Sequence, residues 1–281
     1  SSNFHETNKN NSIPLYEAKF IHHYDHRYAE LKGSAVSELT ESDKQDPNKE
    51  IIPKFFVSKS LAEKRIRDRK ISNNWLVGFR SIASATNERT CIASILPIAA
   101  VGNSINLILG LNAIEASYIT ANVNTFVFDF CCRQKMSGSN VNIWIFKQLP
   151  AIPLYQYADR FPFAKFGDTT LGDWVMARIL ELINTSKGIM PFAHDSRYRA
   201  PCFRWDDERR ILIRAELDAA FFHLYLPADN NGDWKLARVE KEELGDESGE
   251  QLAELKQHFP TPRDAVACIM ETFPIVKRKD E

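Results

Sequence analysis

The sequence lacks the features that mark membrane-spanning and disulfide-rich proteins. Its most apolar stretch, residues 92–101, is ten residues long and contains Pro97, whereas a membrane-spanning helix needs about 20 apolar residues. Five cysteines, of which Cys131 and Cys132 are adjacent, form no even, regularly spaced set, and this pattern is typical of reduced thiols. We therefore expect a cytoplasmic protein that does not enter a membrane.

Common catalytic signatures are also missing: there is no Gly-x-Ser-x-Gly, no His-Glu-x-x-His and no Walker A motif. Glu17 and Lys19 have the Glu-x-Lys spacing of metal-dependent nucleases, but no suitably placed acidic residue precedes them. His22 and His26 are spaced like a helical zinc pair with Asp25 nearby, yet a third ligand is missing. We favour a structural or phosphate-contacting role for this segment. A metal nuclease that uses Glu17, Lys19 and the histidines stays as a weaker alternative.

The net charge is close to zero, because 36 Lys and Arg residues nearly balance 37 Asp and Glu residues. The charges are nevertheless unevenly distributed. Residues 54–90 hold nine basic against three acidic residues, residues 133–204 hold ten against five, and residues 238–254 hold two against seven. This asymmetry is expected of a protein with one side that faces a polyanion such as nucleic acid.

The sequence pattern predicts an α+β fold, with a mixed α/β middle followed by a mostly helical C-terminal region. Alternating apolar residues predict strands at residues 75–79 and 141–146, and a basic stretch at residues 60–70 predicts a short helix. Residues 126–132 fit a helix or a buried strand equally well. Helices are predicted in the C-terminal region at residues 171–184, 209–226, 252–258 and 264–272.

Composition divides the chain into three segments. Residues 1–55 are a lead-in segment that contains a mobile loop at residues 32–50, because this stretch has almost no large apolar side chains. Residues 56–160 are a mixed α/β domain, and the proline-rich connection from Pro150 to Pro153 marks its end. Residues 161–281 are the helical C-terminal region.

The stretch from Trp75 to Pro150 places Arg, Lys, Gln and Asn side chains at turns beside apolar elements. Arg and Lys can read guanine edges, Asn and Gln can read adenine edges, and Lys and backbone amides contact phosphates. A reader of a DNA groove needs such side chains on a rigid apolar frame. An ordinary α/β domain with polar loops explains the same pattern, so the residues alone leave both interpretations open.

A resemblance to a known family favours the first interpretation. The run from Phe126 to Pro150, with Arg-Gln-Lys at 133–135 and Lys-Gln-Leu-Pro at 147–150, resembles a segment of target-recognition domains. These domains belong to type II and type IIG restriction–modification enzymes and to related phage-defence adenine DNA methyltransferases. Other stretches resemble the same family in the same order: residues 15–27, 79–80 with 86–90, 214–225 and 272–277.

The resemblance implies a fragment that reads double-stranded DNA for an upstream methyltransferase domain of the same polypeptide. That domain would transfer a methyl group from S-adenosylmethionine to the amine of a flipped adenine, with or without an accompanying nuclease. This chain has no Asn-Pro-Pro-Tyr-type segment to hold the base and no glycine-rich turn for the cofactor. We therefore expect no catalytic residue, cofactor or metal in it. Because the chain begins at Ser1 without methionine, we expect it to be part of a longer protein.

Ten side chains are the candidate DNA contacts: Arg80, Asn87, Arg89, Arg133, Gln134, Lys135, Ser137, Asn140, Lys147 and Gln148. The Arg, Asn and Gln residues would read bases, whereas Lys135, Lys147 and Ser137 would more often touch phosphate. A surface charge or a structural hydrogen bond is the plainer role for each, and Arg89 could pair with a nearby acid. The alternative function is a protein-interaction or scaffolding module, whose apolar helical face at residues 214–225 packs on the methyltransferase or a partner subunit.

Overall fold

The computed structural model describes residues 4–5, 11–84, 87–136, 138–161, 168–235 and 247–273. Helices account for 45% of the fold and strands for 17%, and every strand among these residues lies before position 110. The α+β class predicted from the sequence is therefore confirmed. None of the helices in these ranges is long and apolar enough to cross a membrane.

The strands form three small sheets. Their bounds are β1 (Phe4–His5), β2 (Ser12–Tyr16), β3 (Ala29–Lys32), β4 (Ala35–Glu38), β5 (Phe56–Ser58), β6 (Trp75–Arg80), β7 (Ala93–Pro97), β8 (Ala100–Val101) and β9 (Ile105–Ile108). The first sheet has the order β1-β5-β2-β8, in which only the β2–β8 pair is parallel. Strands β3 and β4 form a hairpin, and β6 lies between β7 and β9 in an antiparallel sheet.

The helices follow mainly after the last strand. Their bounds are α1 (Glu41–Gln45), α2 (Lys59–Asp68), α3 (Ala113–Val123), α4 (Phe126–Lys135), α5 (Ile143–Phe146), α6 (Leu171–Ile183), α7 (Met190–Asp195), α8 (Asp207–Tyr225), α9 (Glu247–His258) and α10 (Pro262–Glu271). Residues 126–132, which fitted a helix or a strand, belong to helix α4. The predicted helices at residues 60–70, 171–184 and 209–226 are confirmed as α2, α6 and α8.

One main hydrophobic core joins the three segments of the chain. Tyr24 comes from the N-terminal part, Trp75 and Val77 come from β6, and Trp174 and Phe221 come from α6 and α8. All five side chains are buried, so these elements pack on one another directly. The boundaries at residues 55 and 160 therefore separate stretches of different composition and not separate cores.

Apolar side chains of helix α8 pack into the main core of this protein. Leu217, Ala220 and Phe221 are buried in the main core, and Glu216 pairs with Arg178 of α6 at 2.6 Å. These three apolar side chains of the face at residues 214–225, which the alternative function would dock on a partner, are thus already covered by this protein. Ala215, Ala219 and His223 of the same helix remain exposed.

Residues 32–50, expected to form a mobile loop, are instead folded onto the rest of the protein. They contain β4, α1 and the buried Lys44. Arg27 is fully buried, and its guanidinium donates hydrogen bonds of 2.8–2.9 Å to four backbone carbonyls, those of Lys44, Asp46, Lys49 and Thr185. A stretch with few large apolar side chains is therefore fixed largely through its backbone carbonyls by Arg27, with Leu39 buried in a hydrophobic cluster.

The strand predicted at residues 141–146 is wrong. These residues include helix α5, because the Asn142 side chain accepts a hydrogen bond of 2.9 Å from the Ile145 amide and caps a helical turn. Phe146 then stacks on Phe79 of β6, with ring centroids 4.1 Å apart. A single helical turn is too short to display its own period, so alternation of apolar residues was misleading here.

Candidate nucleic-acid interface

Two stretches that lie about 50 residues apart in the sequence meet at one end of β6. The Ala83 amide donates to the Ser139 carbonyl at 3.0 Å, and the Val141 amide donates to the Ser81 carbonyl at 2.8 Å. A β-bridge between Ile82 and Asn140 lies between these two bonds. We call the combined surface of residues 81–84, 87–88, 134–135 and 138–148 the recognition edge, because it holds most of the candidate DNA contacts.

Two of the candidates, Arg89 and Arg133, lie beneath this surface and not on it. Both are buried and flank the fully buried Asp129: Arg133 Nε is 3.1 Å from one carboxylate oxygen, and Arg89 Nε is 3.4 Å from the other. Arg133 also donates to the carbonyls of Asn87 and Glu88, at 2.8 and 2.9 Å. We therefore correct their predicted role: they hold the loop residues 87–90 in place, and their guanidinium groups are not available to bases.

The acid that pairs with Arg89 is Asp129, and not its neighbour Glu88. Burial raises the pKa of Asp129, although both guanidinium groups act to lower it. Burial thus opposes the charged form of the Asp129 carboxylate, whereas the two ion pairs favour it. The cluster defines the position of the loop more than it adds to stability.

Arg80 is also committed to the protein. Its half-buried guanidinium donates to the Ile21 carbonyl, with Nε at 2.9 Å, and its centre lies 5.7 Å from the centroid of the Tyr28 ring. The side chain thus turns back to the N-terminal segment. We correct its predicted role from base reader to a link between β6 and residues 21–28.

Six of the remaining candidates are exposed on the recognition edge: Asn87, Gln134, Lys135, Asn140, Lys147 and Gln148. Gln148 donates to the Trp144 carbonyl at 3.1 Å, which uses one of its two donor hydrogens. Ser137 lies outside the described residues. The edge therefore presents mainly amide side chains with two lysines, a set suited to hydrogen bonding with base edges.

Three exposed apolar side chains on the same edge are not among the residues predicted from the sequence. Trp144 is 77% exposed, Ile82 is 61% exposed and Ile143 is 51% exposed. A strand at residues 141–146 would have turned Ile143 and Trp144 to opposite faces, whereas α5 exposes both. The Asn142 cap before an apolar tetrapeptide was the signal that could have revealed them. Exposed apolar and aromatic groups beside amides suit contact with base methyl groups or unstacked bases.

The histidines of the N-terminal segment have structural roles. His26 is fully buried with its Nε2 3.0 Å from Ser186 Oγ, and His23 is buried with its Nε2 3.0 Å from the Cys91 carbonyl oxygen. His22 stacks on the Tyr28 ring, with centroids 4.6 Å apart. Residues 22–25 form a bridged turn and not a helix, so the i, i+4 argument for a zinc pair does not apply.

The carboxylates near the histidines are engaged as well. Asp25 pairs with Lys44 at 2.7 Å, and Glu17 pairs with Lys19 at 3.1 Å beside a short 3-10 helix. Within the described ranges, no three His, Cys, Asp or Glu side chains are grouped so that they could hold a metal ion. The nuclease alternative therefore gains no support from this segment.

Burial of the histidines makes stability depend on pH. Burial lowers the pKa of His26 to about 3, with Arg27 as the next cause, and burial also lowers the pKa of His23. Both stay neutral when folded, whereas an unfolded histidine takes up a proton near pH 6.5. The stabilisation is thus fully present above pH 6.5 and is lost as the pH falls from there towards 3. We expect the free energy of unfolding to fall by about 1.4 kcal/mol per pH unit for each histidine.

Urea unfolding at pH 7, 6 and 5 measures this slope. His26→Gln retains a hydrogen-bonding partner for Ser186 but takes up no proton. We therefore expect the slope of the free energy of unfolding against pH to fall by the contribution of one histidine, about 1.4 kcal/mol per pH unit. An unchanged slope in this variant would show that His26 does not cause the acid sensitivity.

No protein-family model matches this chain, and a search of curated proteins finds no match either.

Proposed function

We propose that this chain is the sequence-reading part of an adenine-type DNA methyltransferase or restriction–modification protein. In this proposal the recognition edge contacts double-stranded DNA, and S-adenosylmethionine and the methyl transfer belong to an upstream domain. The observation that carries the proposal is the meeting of residues 81–83 and 139–141, which joins the two stretches of the recognition edge. The family resemblance of the sequence adds to it.

The chemistry of the edge supports reading of bases over simple attraction to phosphate. Asn140 and Gln148 present exposed amides, which can pair with adenine through one donor and one acceptor. Only Lys135 and Lys147 add positive charge there, against the exposed Glu88. A surface with so little net charge gives discrimination among sequences more than it gives overall affinity.

The frame beneath the edge supports the same function. Phe79, Phe128 and Val141 are buried in a cluster that joins β6, α4 and the start of the turn into α5. The Arg89–Asp129–Arg133 cluster fixes residues 87–90 from below. Side chains that must meet base edges need such a rigid support, because small displacements break hydrogen-bond geometry.

Selection of bound duplexes from a random-sequence pool, followed by fluorescence-anisotropy titration, tests the proposal. We expect a preferred sequence, and we expect Asn140→Ala with Gln148→Ala to reduce discrimination by about 1–3 kcal/mol for each base that is no longer read. Both side chains are exposed, so the free energy of unfolding should change by no more than about 0.5 kcal/mol.

Gln251→Ala with Gln257→Ala is the matched control, because it also removes two exposed amides, but from helix α9. We expect this control to bind like the wild type. Selection that yields no preferred sequence, or equal effects of both double variants on discrimination, would rule out sequence reading by the recognition edge.

A further inference from the structure

Helix α2 and the turn that follows it hold the densest group of basic side chains without an ion-pair partner in the described structure. Six basic side chains are exposed there against two acidic ones, Glu63 and Asp68: Lys59, Lys64, Arg65, Arg67, Arg69 and Lys70. None of the six forms an ion pair within 4 Å in the part of the chain that the structure covers. We refer to these six side chains as the α2 cations.

Cations elsewhere in the protein are mostly used by the fold. Lys44 and Lys49 pair with acids of the N-terminal segment at 2.7 Å, and Arg178 and Arg209 pair with acids of α8 and α6 at 2.6 and 2.8 Å. The α2 cations have no such role. Like charges crowded on one short helix repel one another, so folding gives no reason for their presence.

The opposite side of α2 is apolar and faces inward. Ala62 is buried, and Leu61 and Ile66 are half-buried over a groove that Val57 and Leu76 also line. The helix therefore has no exposed apolar face to insert into a lipid surface, which a membrane-bound amphipathic helix would need. Its exposed surface is predominantly cationic, with six basic against two acidic side chains.

We propose that the α2 cations bind the phosphate backbone of a nucleic acid. A helix of ten residues is about 15 Å long, and one strand of a duplex presents about four phosphates over that distance. A cavity of about 540 Å³ extends the surface beyond the helix, where Arg69, Lys70, Ser72 and Asn73 line it. Hydroxyl and amide groups of this kind commonly accompany Arg and Lys in phosphate contacts.

Strand β6 connects this surface to the recognition edge. It begins at Trp75, five residues after Lys70, and it ends at Arg80, directly before residues 81–84 of the recognition edge. Six extended residues span about 20 Å, the length of about six base pairs. The inference deepens the proposed function: α2 supplies sequence-independent affinity, and the edge supplies discrimination. Phosphate binding by α2 does not itself require sequence reading.

Anisotropy titrations of a labelled random-sequence duplex at 50–200 mM KCl test the inference. The variant Lys64→Gln with Arg65→Gln and Arg67→Gln removes three of the cations that would neutralise phosphates. We expect the slope of log affinity against log salt to become shallower by about 2.7, and the affinity at 0.1 M salt to fall by up to about 500-fold. Arg65→Gln alone should change the slope by about 1.

The charge-matched control is Lys187→Gln with Arg204→Gln and Arg263→Gln, which removes three exposed cations from other parts of the surface. It should leave the slope unchanged. Equal changes of the salt slope in both triple variants would show that net charge alone causes the effect, and this would overturn the inference. An unchanged slope in the α2 triple variant would overturn it too. Binding of the wild type to anionic vesicles but to no nucleic acid would overturn it as well.

The two proposals fail separately. If the α2 triple variant loses salt-dependent binding while no preferred sequence emerges from selection, the phosphate-binding role stands and sequence reading fails. If a preferred sequence emerges and the α2 triple variant keeps the wild-type salt slope, sequence reading stands and the phosphate-binding role fails.

Discussion

Asp129→Asn is expected to lower the free energy of unfolding by about 3–5 kcal/mol. Asp129 is fully buried between Arg89 and Arg133, and it also accepts a hydrogen bond of 2.9 Å from the Thr90 amide. Asparagine has nearly the same shape and can keep the bond to Thr90. It leaves two buried guanidinium groups without a negative charge, however, and urea unfolding followed by tryptophan fluorescence measures the cost.

A triple variant separates charge imbalance from loss of packing. Arg89→Met with Asp129→Leu and Arg133→Met removes all three charges at similar volume, and such replacements are often neutral or stabilising. We expect it to be more stable than Asp129→Asn. If the triple variant is equally unstable, the hydrogen bonds to the loop carbonyls, and not the charge balance, hold this region together.

Arg27→Met is expected to destabilise the protein by about 4 kcal/mol or more. The variant removes the donors for four backbone carbonyls around a fully buried position, and each buried carbonyl left without a partner costs about 1–3 kcal/mol. Urea unfolding gives the size of the effect. Limited trypsin digestion gives its location, since Lys44 and Lys49 should become accessible to cleavage.

Two controls accompany this variant. Arg27→Lys keeps the charge but cannot reproduce the two-pronged geometry of the guanidinium, so we expect only partial recovery. Arg204→Met, at an exposed arginine, should stay within about 0.5 kcal/mol of the wild type. A destabilisation below about 1 kcal/mol in Arg27→Met, with unchanged digestion, would show that residues 40–50 are held by other interactions.

The sequence predicted the fold class and the long helices because their signals are local and repeated. Helix α6 shows apolar residues at Leu171, Val175 and Ile179, and its N-terminus has the Thr170 cap bonded to the Asp173 amide at 3.0 Å. Helix α5 was not predicted in the same way because it is one turn long. The folding of residues 32–50 could not be predicted because it depends mainly on hydrogen bonds to Arg27 and on the Lys44–Asp25 pair, whereas Leu39 is its one side chain in a buried apolar cluster.

Which candidate side chains are exposed could be predicted only in part. Amides and lysines of the recognition edge are on the surface, as their polarity suggests. Arginine is harder to place, because its long stem packs in apolar surroundings while its donors find carbonyls or acids. Arg89 lies 3.8 Å from the centroid of the Phe126 ring, and Asp129, its partner, is 40 residues away. Nothing in the local sequence indicates such a pair.

The bond from Arg27 to Thr185 has a consequence for how the protein is made. These residues are separated by 158 positions, which a ribosome that adds about 5–20 residues per second covers in roughly 8–30 seconds. During that interval Arg27, which is buried in the folded protein, lacks Thr185, the last of its hydrogen-bond partners to be synthesised. Newly made chains should therefore be open to chaperones and proteases at residues 40–50 until Thr185, two residues after the end of α6, emerges, and a translational pause before that point would prolong the exposure.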